Sequence, residues 1–183
     1  MLTAVALGIG LAASCGFRVF VPLLAASIAA RMDLYPLQEG FMWLASWPAI
    51  ICFGMATLLE ILAYYIPFID NLLDSITTPL AIGAGTLLFT SVLPIDQDML
   101  KWITGLIIGG GAAATIQGGS VLTRLFSTTT TAGAGNPAVA TGEHTAAIGS
   151  SIMTFVTPFL VAVLLILLVI FILFKFGKRL IRS

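Results

Sequence analysis

Two charged residues interrupt apolar sequence where a membrane helix would not tolerate them without a purpose. Arg18 lies near the middle of the apolar stretch 2–30, where a lone guanidinium costs about 2.5–3.5 kcal/mol on insertion scales. It is either a strut that ties helices together or a cation that binds an anionic substrate. Glu60 lies about 9 Å inside the end of the stretch 41–66 by helical rise. It is predicted as a partner of Arg18, as a proton- or cation-binding carboxylate, or as an interfacial glutamate that reaches water.

A second candidate site follows an uncharged, hydroxyl-rich segment at 127–142. Small residues with hydroxyl groups suit backbone that lines a polar pore or pocket; the alternative is a flexible loop that ends in a capped helix. Asn136 followed by Pro137 predicts a helix with Asn136 as its N-cap, whose free N–H groups would bind an anion. Glu143 and His144 come about two turns later and could relay protons, because histidine titrates near neutral pH.

Further polar residues extend the list of candidates. Gln117 and Arg124 occur within an otherwise apolar stretch and are predicted to contact a substrate. Asp70 and Asp74 are four residues apart, so both fall on one face of a helix and could bind a hard cation through oxygen ligands. The plainer alternative is a solvated connector in which Thr78 caps a helix that starts at Pro79.

Composition determines the class of protein that must position these residues. Of 183 residues, 59% are hydrophobic and 9% are charged, whereas a soluble domain has about 25% charged residues. The sequence therefore predicts an all-α integral membrane protein, a single transmembrane domain over 1–183. A net charge of zero argues against nucleic acid as a partner. Two cysteines and one histidine provide no disulfide scaffold or redox motif, and no cofactor is expected.

Five hydrophobic stretches meet or approach the ~20 residues of a spanning helix; they are 2–30, 41–66, 79–94, 102–126 and 146–174. The first and the fourth are rich in glycine, so one or two stretches are expected to be broken or re-entrant. The alternative is tilted helices whose small residues allow close packing, as Gly105 and Gly109 would. A weak match between 12–16 and 113–118 suggests a degenerate internal repeat, as in many transporters.

Aromatic and basic residues indicate how the chain sits in the bilayer. Tyr64 and Tyr65 at the end of the second stretch are typical of an interfacial aromatic belt. The last apolar stretch is followed by a basic tail, which places the C-terminus in the cytoplasm by the positive-inside rule. The basic residues of this tail are Lys175, Lys178, Arg179 and Arg182.

Three groups of residues together resemble a known family. The run from Gly10 to Pro22, GLAASCGFRVFVP, is similar to the N-terminal signature of the membrane proteins grouped as domain-of-unknown-function family 4126. A later group and the run Gly135-Asn136-Pro137 with Glu143 resemble it too. The later group consists of Glu60, Tyr64, Ile66, Pro67, Asp70, Leu73, Asp74 and Pro79. The resemblance implies a small multi-pass protein of the bacterial inner membrane and implies no activity.

The residues favour transport or channel-like permeation of a small polar or charged solute. Arg18 and the helix start near Asn136 would hold anionic groups, while Glu60 and Glu143 would balance Arg18 or carry protons. The alternative is a non-transporting scaffold that holds a partner protein in the lipid bilayer. An intramembrane enzyme that uses Glu143 and His144 is the least favoured hypothesis. So few helices rarely enclose a pathway alone, so a homo-oligomer, most simply a dimer, is expected.

Overall fold

All regular secondary structure in the part of the chain that the structure describes is helical, which confirms the expected all-α class. The structure is a computed structural model that describes residues 1–66 and 69–181, without the side chains of Asp70, Asn71 and 176–181. Asp70 of the predicted cation site and the basic side chains beyond Lys175 therefore lie outside the described residues. The α-helices are α1 (Leu2–Ser14), α2 (Phe20–Arg31), α3 (Trp47–Ala63), α4 (Ile69–Val92), α5 (Asp98–Thr104), α6 (Gly111–Thr131), α7 (Asn136–Val156) and α8 (Pro158–Ile181).

Three helical runs are long and apolar enough to cross a membrane: Leu72–Val92, Asp98–Thr131 and Pro158–Lys175. A fourth span is possible if the 3-10 helix Glu39–Ala45 and α3, which meet at an angle of 61°, cross together. Helices α1 and α2 have 13 and 12 residues, so each is about 20 Å long or less and shorter than the ~30 Å hydrocarbon core. The first hydrophobic stretch is thus broken, as one of the two glycine-rich stretches was expected to be.

The break in the first stretch lies at residues 15–19, between α1 and α2. Its backbone stays hydrogen-bonded, because the amide groups of Phe17 and Arg18 both donate to the carbonyl of Ser14. Gly16 allows the turn to press against α6, since a Cβ atom there would lie 2.5 Å from the carbonyl oxygen of Ala113. The break therefore brings the Arg18 side chain into the middle of the helix assembly.

The fourth stretch, in contrast, is continuous. Helices α5 and α6 join through a π-helical segment, Gly105–Gly110, into one run of 34 residues. Three of its glycines, Gly105, Gly109 and Gly110, allow close packing against α4, which was the alternative interpretation of this stretch. Of the suggested repeat, residues 113–118 are helical throughout, whereas 12–14 end α1 and 15–16 begin the connection to α2.

Helix α4 begins earlier than the sequence predicted. Pro79 lies inside the helix rather than at its start, and the hydroxyl group of Thr78 donates to the carbonyl of Asp74 at 2.7 Å instead of capping a new helix. A proline in a membrane helix is tolerated where side chains and neighbouring helices satisfy the freed backbone groups. Asp74 consequently lies within a helix of the bundle and not in a solvated connector.

The first part of the hydroxyl-rich segment is helical, where a pore-lining or flexible loop was expected. Helix α6 continues to Thr131, and α7 starts at Asn136 as predicted, although its N-cap is Gly135 and not Asn136. Four of the five threonines of the segment bond to the backbone of their own helix, as Thr131 does by donating to the carbonyl of Ser127 at 2.7 Å. A threonine hydroxyl group that donates to the backbone carbonyl one turn earlier has its hydrogen-bond partner within the helix, so these residues do not need to line a polar pore.

Helix α1 is the centre of the assembly and contacts α4, α6, α7 and α8. Leu11, Ala12 and Ala13 on this helix are fully buried. At the periphery, α3 buries only Ala49, Thr57 and Glu60, and α8 exposes most of its apolar residues. Apolar side chains on the outside and polar ones inside are the arrangement expected in lipid, where buried polar groups must find partners within the protein.

A close backbone contact between two helices provides a test of this packing. A Cβ atom on Gly109 would lie 2.5 Å from the carbonyl oxygen of Gly85 on α4, whereas one on Gly111 would meet nothing within 4 Å. We expect Gly109→Ala to lower the free energy of unfolding in detergent by about 1–3 kcal/mol, the usual cost of overpacking. The matched control Gly111→Ala should be neutral or stabilising, because alanine favours helix more than glycine does. Equal stability of the two variants would contradict the packing described here.

Candidate functional site

Four charged side chains from separate parts of the chain meet inside the helix assembly. They are Arg18 in the connection between α1 and α2, Asp74 on α4, Arg124 on α6 and Glu143 on α7. Each is almost fully enclosed, with exposed fractions of 2%, 7%, 1% and 7% respectively. These four residues are called the charge network below. The sequence had selected all four as candidates, although nothing in it shows that they lie together.

Glu143 holds the charge network together. Its Oε2 atom pairs with Nη2 of Arg18 at 2.8 Å and also with Nη2 of Arg124. On its other side Arg124 pairs through Nη1 with Oδ1 of Asp74 at 2.8 Å. Two cations and two anions thus form a continuous chain in the order Arg18, Glu143, Arg124 and Asp74. Buried charges are tolerated only when they are paired in this way.

Tyr64, at the end of α3, lies against both arginines. The Cζ atoms of Arg18 and Arg124 are 3.7 and 4.3 Å from the centre of its ring, within the range of cation–π attraction. Its hydroxyl group donates to Oδ1 of Asp74 at 3.1 Å. The sequence pattern had placed Tyr64 in an interfacial aromatic belt, and that prediction is wrong because the residue is buried. Two signals were available: Tyr64 belongs to the group of residues that resembles the family, and its spacing of four residues from Glu60 places both on one helix face.

A second layer of polar groups extends from Tyr64. The oxygen of its hydroxyl group lies 3.0 Å from the hydroxyl oxygen of Thr77, and Nε2 of Gln117 donates to that same Thr77 oxygen at 3.1 Å. Gln117, a predicted substrate contact, therefore touches the charge network indirectly. Thr77 was missed from the sequence, because a lone threonine in an apolar helix usually bonds to its own backbone.

His144 is joined to the charge network through Arg18. Its Nδ1 atom accepts a hydrogen bond from Nε of Arg18 at 2.8 Å. Because an arginine nitrogen can only donate, Nδ1 carries no proton, and the ring is neutral with its proton on Nε2. A charged His144 would have to break its bond to Arg18. Glu143 and His144, the two candidates for a proton relay, are therefore joined through Arg18, which pairs with the one and donates to the other.

Glu60 stabilises the break in the first stretch. Its Oε1 and Oε2 atoms accept hydrogen bonds from the backbone amides of Val19 and Phe20 at 2.8 and 3.0 Å. These amides belong to the first turn of α2, whose N–H groups have no partner within the helix. Glu60 thus acts as a cap supplied by another helix, and it supports the position of Arg18 rather than pairing with it.

Asn136, a predicted anion-binding residue, is not brought into the charge network. Asn136 bonds to Thr128, its Nδ2 donating to that hydroxyl oxygen at 2.9 Å. It precedes Glu143 by seven residues on α7, roughly 10 Å along the helix axis. Asp74, a candidate cation ligand, is engaged by an arginine and a tyrosine. Within the described ranges no cluster of three or more His, Cys, Asp or Glu side chains could hold a metal ion.

Three polar atoms at this site have no hydrogen-bond partner among the described residues. They are Nε of Arg124, Oε1 of Glu143 and Nε2 of His144. A buried polar group without a partner costs about 1–3 kcal/mol, so unsatisfied atoms of this kind mark places where a ligand or water binds. Glu143 also borders a cavity of about 650 Å³ between α6, α7 and α8, which extends to Lys175.

Comparison with known proteins identifies a family but no activity. The sequence profile described as "Domain of unknown function (DUF4126)" matches residues 5–178. The chain belongs to this family, as its sequence motifs indicated. No curated protein and no solved structure matches it significantly.

The cap formed by Glu60 gives a test of how the site is positioned. Glu60→Gln keeps the size of the side chain and removes its charge and one acceptor oxygen. We expect the free energy of unfolding in detergent to fall by about 1.5–3 kcal/mol, the usual contribution of a hydrogen bond to a charged group. The control is Glu39→Gln, because Glu39 is exposed. If both variants unfold at the same temperature, Glu60 does not cap α2.

Proposed function

We propose that this protein is a membrane transporter or channel-like protein for a small polar or charged solute. In this proposal the charge network forms the narrowest part of the solute pathway. The observation that supports it most strongly is a chain of paired charges deep in an apolar helix assembly, with unsatisfied polar atoms on Arg124, Glu143 and His144.

The energetic argument starts from the cost of burying charge. Replacing a buried ion pair by apolar residues of similar volume is often neutral or stabilising, so helices do not need such groups to hold together. Ionisable residues within a membrane protein face its interior or a water-filled cavity and mark ion and substrate pathways.

The proposal includes an assembly and a location. Three or four spans are few for enclosing a pathway, so a homodimer is the simplest functional unit. The resemblance of the sequence to bacterial proteins favours the inner membrane. The basic tail that follows α8 favours a cytoplasmic C-terminus.

A second candidate function is a non-transporting scaffold that binds another membrane protein. It is favoured by the mutual pairing of the four charges, which would equally suit a rigid internal brace. It is also favoured by the apolar outer face of α3, which exposes Ile51, Met55, Leu58, Leu59 and Leu62. The two candidates differ in one property, since only a transporter changes the permeability of a bilayer.

Osmotic swelling of vesicles measures that property even while the transported solute is unidentified. Purified protein is reconstituted into liposomes, which are diluted into isotonic solutions of glycerol, amino acids, chloride salts and organic acid salts. We expect faster swelling than in protein-free liposomes for at least one solute. Arg124→Gln should change that rate by about tenfold or more, the effect of one interaction worth 1.4 kcal/mol.

The matched control is Arg31→Gln, because Arg31 is an exposed arginine that lies over Trp47 and donates to the carbonyl of Ala45. It should swell as the wild type does. If folded wild-type protein leaves permeability unchanged for every solute, the transport proposal fails and the scaffold becomes the better account.

A further inference from the structure

The contacts of Glu143 are those of a bound anion. One oxygen atom, Oε2, lies between the guanidinium groups of Arg18 and Arg124 and pairs with both. Two arginines that converge on one oxygen are a common way to bind a carboxylate, phosphate or sulfonate. In this conformation the protein itself supplies the anion, and the second oxygen of that carboxylate has no partner among the described residues.

Glu143 also separates the arginines from a cavity. Of the charge network, only Glu143 belongs to the lining of the 650 Å³ cavity between α6, α7 and α8. A molecule in this cavity could reach the two guanidinium groups only if the Glu143 side chain moved aside. The remaining lining is mostly apolar, and its polar members are Ser120, Thr123 and Lys175.

We propose that the two arginines form an anion site that Glu143 occupies when ionised, and that an amphiphilic organic anion replaces it when Glu143 takes up a proton. The inference rests on the proposed function and names the substrate class of the same site. The ligand carries one acidic head group and a hydrocarbon body. The head would lie between Arg18 and Arg124, and the body in the apolar cavity.

Charge balance requires the proton. While Glu143 is ionised and occupies the site, the charges of Arg18 and Arg124 are balanced by those of Asp74 and Glu143. An anion that entered beside an ionised Glu143 would add an uncompensated negative charge to a low-dielectric interior, which is costly. When one proton from water adds to the Glu143 carboxylate as one anion enters, the net charge of the site is unchanged. The released Glu143–arginine ion pairs are replaced by arginine–ligand pairs.

The surroundings of Glu143 contain other groups that carry charge or titrate. From the neighbouring elements these are Arg18 before α2, Glu60 and Tyr64 in and after α3, Asp74 on α4, Arg124 on α6, His144 on α7 and Lys175 on α8. When Glu143 moves away, Asp74 keeps its own bonds to Arg124 and Tyr64. Glu60 keeps the hydrogen bonds that it accepts from backbone amides at the start of α2. His144 cannot take the proton while Nδ1 accepts from Arg18. Glu143 is therefore the carboxylate whose protonation opens the site.

The cavity specifies the rest of the ligand. Its volume is within the ~300–1,000 Å³ of small-molecule sites, so it exceeds what an inorganic anion needs. Its walls include Phe17, Ile116, Leu168 and Phe171, which favour hydrocarbon over a sugar or a peptide. Lys175 at the exposed end of the same cavity provides a positive charge that would attract an anion on entry.

The test uses hexanesulfonate, whose head group stays ionised at every pH used, so any pH dependence belongs to the protein. Binding to the full-length protein in phosphatidylcholine nanodiscs is measured by equilibrium dialysis, with empty nanodiscs subtracted. Between about pH 8 and pH 5 the Kd should fall as pH falls, because a proton is taken up together with the anion. If one proton is taken up with each anion, the Kd changes by at most about tenfold per pH unit. Hexanol and methanesulfonate, which each lack one half of the ligand, should bind at least about tenfold more weakly.

Two variants connect the binding to named residues. Glu143→Gln should bind hexanesulfonate at pH 8 about as well as the wild type does at pH 5, with no further pH dependence, because its side chain is always neutral. Glu39→Gln is the control and should keep the wild-type slope. Arg124→Gln should lose binding at both pH values. Because the wild-type titration needs no substitution, the proposal can be overturned even if a variant does not fold.

Phosphatidic acid added to the nanodiscs distinguishes a soluble ligand from a lipid of the same chemistry. Binding of either the soluble anion or phosphatidic acid, in competition with the other, supports the site. The anion that binds more tightly shows whether the ligand is a soluble molecule or a lipid. The proposal is overturned if hexanesulfonate does not bind, binds independently of pH, or binds equally well to Arg124→Gln. If the anion site fails this test but the liposomes still swell in a solute-dependent way, the transport proposal stands with another substrate. If hexanesulfonate binds but no solute crosses the liposome membrane, the transport proposal fails and the anion site stands.

Discussion

One carboxylate oxygen shared by two guanidinium groups is the contact on which the rest of the structure depends. Oε2 of Glu143 connects Arg18, at the break between α1 and α2, with Arg124 on α6. Without it two positive charges would face each other in a medium where an unpaired charge is very costly. The cap that Glu60 places on α2 and the ring of Tyr64 against both arginines act together with it, because each fixes a cation in the position that Glu143 requires.

Close helix packing makes this arrangement possible. Gly16 brings the break against α6, and Gly109 brings the π-helical segment against α4, so that side chains from four elements reach one point. In lipid there is no hydrophobic driving force between helices, and contacts of small residues supply much of the association energy. The glycines that suggested broken helices in the sequence thus have different roles: Gly16 lies at a real break, whereas Gly105, Gly109 and Gly110 keep a long helix close to α4.

The sequence was sufficient for the class of protein and for most of the site residues, because charge in apolar sequence is costly wherever it occurs. Arg18 and Arg124 could be selected on that ground alone, and Glu143 because it follows an uncharged, hydroxyl-rich segment and stands next to His144. Their common location could not, since it depends on which helices pack together. Tyr64 and Thr77 were missed because each has an ordinary interpretation, as an interfacial aromatic residue and as a self-bonded helix residue. Helical continuity was also misjudged at Pro79 and at 127–131, where the helix continues through residues that were expected to start a helix or to form a loop.

The most direct test of the central claim is a distance measurement in lipid bilayers by solid-state NMR. Guanidinium nitrogens labelled with ¹⁵N and glutamate carboxyl carbons labelled with ¹³C report pairs that are in direct contact through their dipolar coupling. The structure predicts couplings from both Arg18 and Arg124 to one carboxyl carbon, and loss of both signals in Glu143→Gln. Couplings that survive this substitution, or a spectrum with no arginine–glutamate coupling, would contradict the shared contact and the functional account built on it.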